Sequence, residues 1–137
     1  MKKIALLAML ALVAIAVAVV APAQASKCTP HAVSYDVKGT LVSGTLSKDP
    51  GKKKTYSGSL TVHVTHTNNH AKADKGTTKT YTLSHAHVSF GAGVNKTAPA
   101  AGSRVHLKGT ITAVPKKCPA ITPTITIKKV EIHKAKS

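Results

Sequence analysis

A chain of 137 residues has room for one small domain beyond any leader, and 20 Lys and Arg against 4 Asp and Glu give it a formal net charge of +16. Such a surplus draws polyanions through counterion release and repels cationic partners. Three Tyr, one Phe and no Trp leave few stacking platforms, which argues against a dedicated binder of single-stranded nucleic acid or sugar rings.

The first 25 residues read as a secretory signal peptide. Lys2 and Lys3 form a positive n-region, Ile4 to Val20 is an unbroken apolar run, and Ala23-Gln24-Ala25 offers the small-x-small cleavage pattern. The alternative is an uncleaved anchor, since the run is close to the shortest that spans a bilayer. A lipoprotein signal is rejected, because Lys27 stands before Cys28 where a small residue is required. Cleavage before Ser26 lowers the net charge to +14 and makes the protein secreted or held in the cell envelope. The membrane is then met only in transit. In that medium Cys28 and Cys118 are expected to form a structural disulfide. Residues 26–133 are read as one domain and 134–137 as a frayed tail.

Five strands are predicted, and no stretch after Pro22 shows a helical period. The first, His31 to Leu46, turns Val33, Tyr35, Val37, Gly39 and Leu41 inward. Asp49-Pro50-Gly51 then makes a turn, with Pro setting φ at the second position and Gly taking the third. The second strand, Thr55 to Thr67, buries Leu60, Val62 and Val64. Asn68 to Thr78 is polar and predicted to be an exposed loop. In the third strand, Lys79 to Phe90, the inward set passes from Tyr81 and Leu83 to Val88 and Phe90. That slip in phase calls for a bulge near His85. Gly91 to Gly102 is a loop. The fourth strand, Arg104 to Val114, buries Val105, Leu107, Ile111 and Ala113, and Pro115 to Pro123 is a loop carrying Cys118. The fifth, Thr124 to His133, switches phase between Ile127 and Val130, which predicts a second bulge at Lys128-Lys129.

Lys38-Gly39-Thr40-Leu41 is echoed by Lys108-Gly109-Thr110-Ile111. The spacing is too irregular for a solenoid, and the glycines suit strands that curl. Five short strands with such glycines fit a small closed barrel of OB type; a β-sandwich is the alternative fold, weakened by the low strand count. The stretch GSRVHLKGTITAV followed by ITIKKVEIH resembles the OB-like domains of unknown function found in secreted bacterial proteins. Gly102, Val105, Leu107, Gly109 and Ile111 match their G-x-x-V-x-V-x-G-x-[IV] strand. The resemblance implies a barrel and a secreted habit, and brings no activity with it.

All eight histidines, His31, His63, His66, His70, His85, His87, His106 and His133, follow the leader. His85-Ala86-His87 sets two imidazoles on one strand face, about 7 Å apart. With His63 or His66 from a neighbouring strand they could chelate Zn or Cu, and His70 could add a loop ligand. Against this, exposed strand histidines serve equally as polar filler, and no Cys, Asp or Glu lies close by in sequence. The densest cation clusters are Lys52, Lys53 and Lys54 beside the first turn, and Lys116 and Lys117 in the last loop. These are the candidate anion-binding residues, or else solvated lysines that keep strand edges apart. Nineteen of the 20 basic residues are Lys, Arg104 being the exception, which disfavours bidentate phosphate recognition and specific nucleic-acid binding.

No paired carboxylates, G-x-S-x-G elbow, H-E-x-x-H helix or phosphate-cradling glycine loop occurs. No catalytic residue is assigned and no cofactor is expected. The reading is a monomeric, non-enzymatic, basic barrel associating with anionic envelope or extracellular polymers. Histidine-based metal binding and a purely structural role are its alternatives.

Overall fold

Apolar and polar residues alternate along five strands: β1 (His31–Lys48), β2 (Thr55–Thr67), β3 (Thr78–Phe90), β4 (Arg104–Ala113) and β5 (Ile125–His133). The computed structural model describes residues 28–116, 118 and 121–137; the predicted leader, Met1 to Ala25, and Lys117 lie outside them. Each observed strand boundary falls within two residues of its sequence expectation. The strands close into a barrel in the order β1-β2-β3-β5-β4. All neighbours are antiparallel except β3 and β5, which run parallel over His87–Phe90 and Lys129–Ile132. This is the small OB-like barrel expected, one closed sheet in place of the two stacked sheets of a sandwich.

β1 closes the barrel because its 18 residues pair on both sides, His31–Thr40 with β4 and Val37–Lys48 with β2. A strand can serve two neighbours this way only if it coils, and bulges supply the coil. One shift in register lies between Lys38 and Gly39, where a Cβ on Gly39 would collide with the His63 carbonyl. Another lies between Lys108 and Gly109, where a Cβ on Gly109 would meet the Thr126 carbonyl. The two halves of the Lys-Gly-Thr echo thus mark the close approaches that let the sheet curl. Opposite Gly109 the extra residue is Lys128, as predicted. The predicted slip in β3 is also present: Gly58 pairs with Leu83 and Tyr56 with Ala86, leaving Ser84 and His85 opposite Ser57, with His85 at φ 53°.

The inward set fills the barrel. Tyr35, Val37, Leu60, Val62, Val64, Leu107, Val130 and Ile132 are wholly buried. Tyr35 is polar at its tip and lies at the core's edge, where its hydroxyl donates to Asp74 Oδ2 at 2.6 Å and meets the Tyr81 hydroxyl at 2.8 Å. Burial and those bonds push the Tyr35 hydroxyl's pKa well above the ordinary tyrosine range, and burial raises that of Tyr81.

One expectation needs correcting. The segment read as the exposed loop Asn68 to Thr78 holds a short 3-10 helix, Asn69–Asp74, whose Ala71 is buried. Asn68 caps it by accepting from the Ala71 amide at 3.1 Å, while its own amide group donates to the Ser34 carbonyl at 2.9 Å. The segment therefore covers one end of the barrel and delivers Asp74 to Tyr35. At that same end Cys28 and Cys118 form a disulfide with their Cα atoms 5.3 Å apart, tying the residues before β1 to the β4–β5 connection.

Candidate functional site

The barrel's few acids are engaged by its own side chains. Asp74, besides Tyr35, takes Lys79 Nζ at 2.9 Å. Asp36 accepts from His106 Nε2 at 2.8 Å. Glu131 pairs with Lys129 Nζ at 2.9 Å, and that lysine is the main reason its carboxyl sits below the usual range. Asp49, buried beside the first turn, accepts from Ser57 Oγ at 2.8 Å and meets His85 Nδ1 at 2.8 Å. The His85 bond is the largest cause of its lowered pKa. The His85 amide in turn donates to Ser57 Oγ at 3.1 Å, so Asp49, Ser57 and the β3 bulge lock together. In this trio the serine hydroxyl points to the carboxylate and not to the imidazole, an order of contacts that anchors a bulge and does not activate a nucleophile. With every carboxylate matched internally, the remaining lysines set the field outside the barrel.

Those lysines converge at the hairpin end. Lys48 at the close of β1, Lys53 and Lys54 in the hairpin, and Lys96 in the β3–β4 connection line a cleft of about 380 Å³. Its floor is Tyr56 and Phe90, packed edge to face with ring centroids 5.2 Å apart, together with Val88 and Ser89. Each wall has a local cause. The turn at Asp49-Pro50-Gly51 forms as expected, with Gly51 at φ 70°. Lys54 adopts φ 57°, and its carbonyl accepts from the Val88 amide at 2.8 Å, which folds the hairpin over the end of β3. Lys96 is presented by an Asx-type turn: Asn95 Oδ1 accepts from the amides of Thr97 at 3.0 Å and Ala98 at 3.2 Å. The Thr97 carbonyl then takes the Leu46 amide at 2.8 Å and docks the loop on β1. A cleft with four ammonium groups can hold a multivalent anion by charge.

The fold thus gathers Lys53 and Lys54 and leaves the other predicted lysines apart. Lys52 stands exposed on the same hairpin and is not part of the cleft wall. Lys116 follows β4, whose last residue pairs with His31 at the start of β1, so it sits at the opposite end of the barrel. Lys117 lies outside the described residues. Sequence reading missed Lys48 and Lys96. The one local signal for Lys96 was the Asn95-Lys96-Thr97 triplet, whose asparagine turns the loop.

The four-histidine metal set is not assembled. The antiparallel register of β2 and β3 puts His63 opposite Thr78 and His87 opposite Thr55, so His63 and His66 lie roughly 20–35 Å along the sheet from His85 and His87 at strand rise. His63 Nδ1 meets the Thr78 hydroxyl at 3.2 Å, His66 Nδ1 that of Thr65 at 3.0 Å, and His85 Nδ1 is taken by Asp49. Among the described residues no group of three or more His, Cys, Asp or Glu is arranged to hold a metal ion. Hairpin pairing reverses the chain, and so carries the two pairs to opposite ends.

Comparison with known protein families, with curated proteins and with solved structures finds no match for this chain.

Proposed function

We propose that this is an exported, non-enzymatic barrel that holds an anionic polymer of the cell envelope or extracellular medium in the lysine-lined cleft at its hairpin end. The observation that carries this reading is the convergence of Lys48, Lys53, Lys54 and Lys96 on one cleft while all four carboxylates are matched internally. Lysine suits the role. It is a compact, hydrated charge without a fixed fork, which favours a repeating polyanion over one oriented phosphate. The Cys28–Cys118 bridge supports export, since such bridges persist in oxidising compartments, and the leader-like Met1 to Ala25 supports it independently.

Heparin serves as the test polymer. Binding should weaken with salt, losing about 0.9 in log K per tenfold rise in salt for each cation engaged. Lys53→Gln/Lys54→Gln/Lys96→Gln should flatten that slope by two to three cations' worth, while Lys116→Gln, at the far end, changes it by one at most. Failure to bind at low salt and neutral pH ends the proposal, as does a slope indifferent to the triple substitution.

A further inference from the structure

A second concave surface of about 420 Å³ lies on the barrel wall, lined by Lys38, His66, Arg104, His106, Glu131 and His133, among others. Strand register explains its make-up. Outward positions of β1, β4 and β5 form three cross-strand rows: Asp36, Lys108 and Lys129; then Lys38, His106 and Glu131; then Thr40, Arg104 and His133. His66 of β2 extends the middle row beside Lys38. Arg104, which also lines the groove, is steadied by its Nε donating to the Lys134 carbonyl at 3.2 Å.

His106 is held between two carboxylates. Its Nε2 lies 2.8 Å from Asp36 Oδ1, and its Nδ1 lies 3.9 Å from Glu131 Oε2. An ionised carboxylate only accepts, so the neutral ring carries its proton on Nε2 and presents a bare Nδ1 to Glu131. A second proton must therefore enter at Nδ1, where it turns a bystander of Glu131 into its partner. Among the groove's lining residues Lys38 and Arg104 face a single carboxylate, Glu131, which Lys129 of the next row already pairs at 2.9 Å, so with its histidines uncharged the groove is only weakly cationic. Histidine is the side chain whose charge changes between about pH 5 and 8. Charging His66, His106 and His133 adds three cations to the same groove.

We propose that this groove is a second anion-binding site, weak toward polyanions at neutral pH and strengthened by acidification of the medium. It extends the anionic-polymer reading but uses different residues, on the wall of the barrel and not at its end. Multivalent sulfate, carboxylate or phosphate groups spaced along one polymer fit it, since the cations are arrayed over three rows and no pair of them forms a single enclosed cradle.

The test is heparin binding across a salt series at pH 7.5 and pH 5.5. The slope of log K against log salt for the unsubstituted protein should steepen on acidification by about one per imidazole charged, two to three in all. His66→Gln/His133→Gln should remove about two of that increment. His106→Gln, which keeps a donor toward Asp36 but cannot take up a proton, should remove about one. His31→Gln, at the start of β1 opposite Ala113 and away from both sites, should keep the increment whole. The inference is overturned if the His66/His133 variant steepens as the unsubstituted protein does. The two proposals separate cleanly. A cleft variant, Lys53→Gln/Lys54→Gln/Lys96→Gln, should lower the slope at both pH values yet retain the acid increment. Binding seen only at pH 5.5 and dependent on His66 and His133 would sink the cleft and sustain the groove. Absence of binding at both pH values would end both.

Discussion

Replacing Cys28 and Cys118 together by serine measures how far the barrel depends on its covalent tie. The bridge joins residues 90 apart in sequence. A cross-link of that span removes about 15 cal/mol/K of chain entropy from the unfolded state, or about 4.6 kcal/mol at 25 °C. The bridge sits just outside the last ladder pair of β1 and β4, His31 with Ala113, so its loss need not disturb the core and its effect falls mainly on the unfolded chain. A domain of about 110 residues unfolds with an entropy near 0.23 kcal/mol/K, and the melting temperature should then drop by about 20 °C. Thermal scans by far-ultraviolet circular dichroism on the bridged protein, the double-serine variant and the bridged protein with reductant check this, the last two being expected to agree. A fall of less than about 5 °C with the β spectrum intact would refute the reasoning. It would mean that β1 and β4 hold their ends together in the unfolded chain without the bond.

Tyr35→Phe removes the hydroxyl shared by Asp74 and Tyr81 inside the barrel and should cost about 1–3 kcal/mol in urea unfolding. Because the Tyr35 and Tyr81 hydroxyls have raised pKa values in the fold, the unfolded chain releases their protons first. Stability should therefore be full below about pH 10 and fall above it, with their ultraviolet ionisation signal arriving only as the barrel opens. Asp49 behaves in the opposite sense. Its lowered pKa contributes stability above about pH 4 that fades as the pH falls further, so Asp49→Asn should flatten the acid limb of a urea-midpoint curve; an unchanged limb would place that dependence elsewhere. Gly109→Ala drives a Cβ into the Thr126 carbonyl and should cost about 1–3 kcal/mol or more. Gly76→Ala, where φ is 80° but the space is open, should cost about 1 kcal/mol, and the order of the two in urea midpoints is the check.

Much of the barrel was legible in the amino-acid order. Period-two burial is a local property, so Val62 and Val64, or Val105 and Leu107, declare their face without knowledge of any partner strand. Phase slips are local too, which is why the bulges at His85 and Lys128 were readable as interruptions in that period. The 3-10 helix at Asn69–Asp74 was not, because six residues, four of them polar, carry too short a pattern and only Asn68 and Ala71, meeting the barrel, give it a reason to form.

Chemistry at a distance belonged to the fold. Composition could count four acids and eighteen cations after the leader, but not show that Tyr35, His85, His106 and Lys129 would each engage one of those acids. Nor could it show that Lys96, some 40 residues beyond Lys53 and Lys54, would share a cleft with them. The same holds for His66, Lys38, His106 and Glu131, neighbours in one row only because four strands are paired in a particular register. Alternation and turn chemistry act between residues a few positions apart and can be read along the chain. Juxtaposition across a closed sheet depends on register, and register is settled when all five strands bury their inward faces at once.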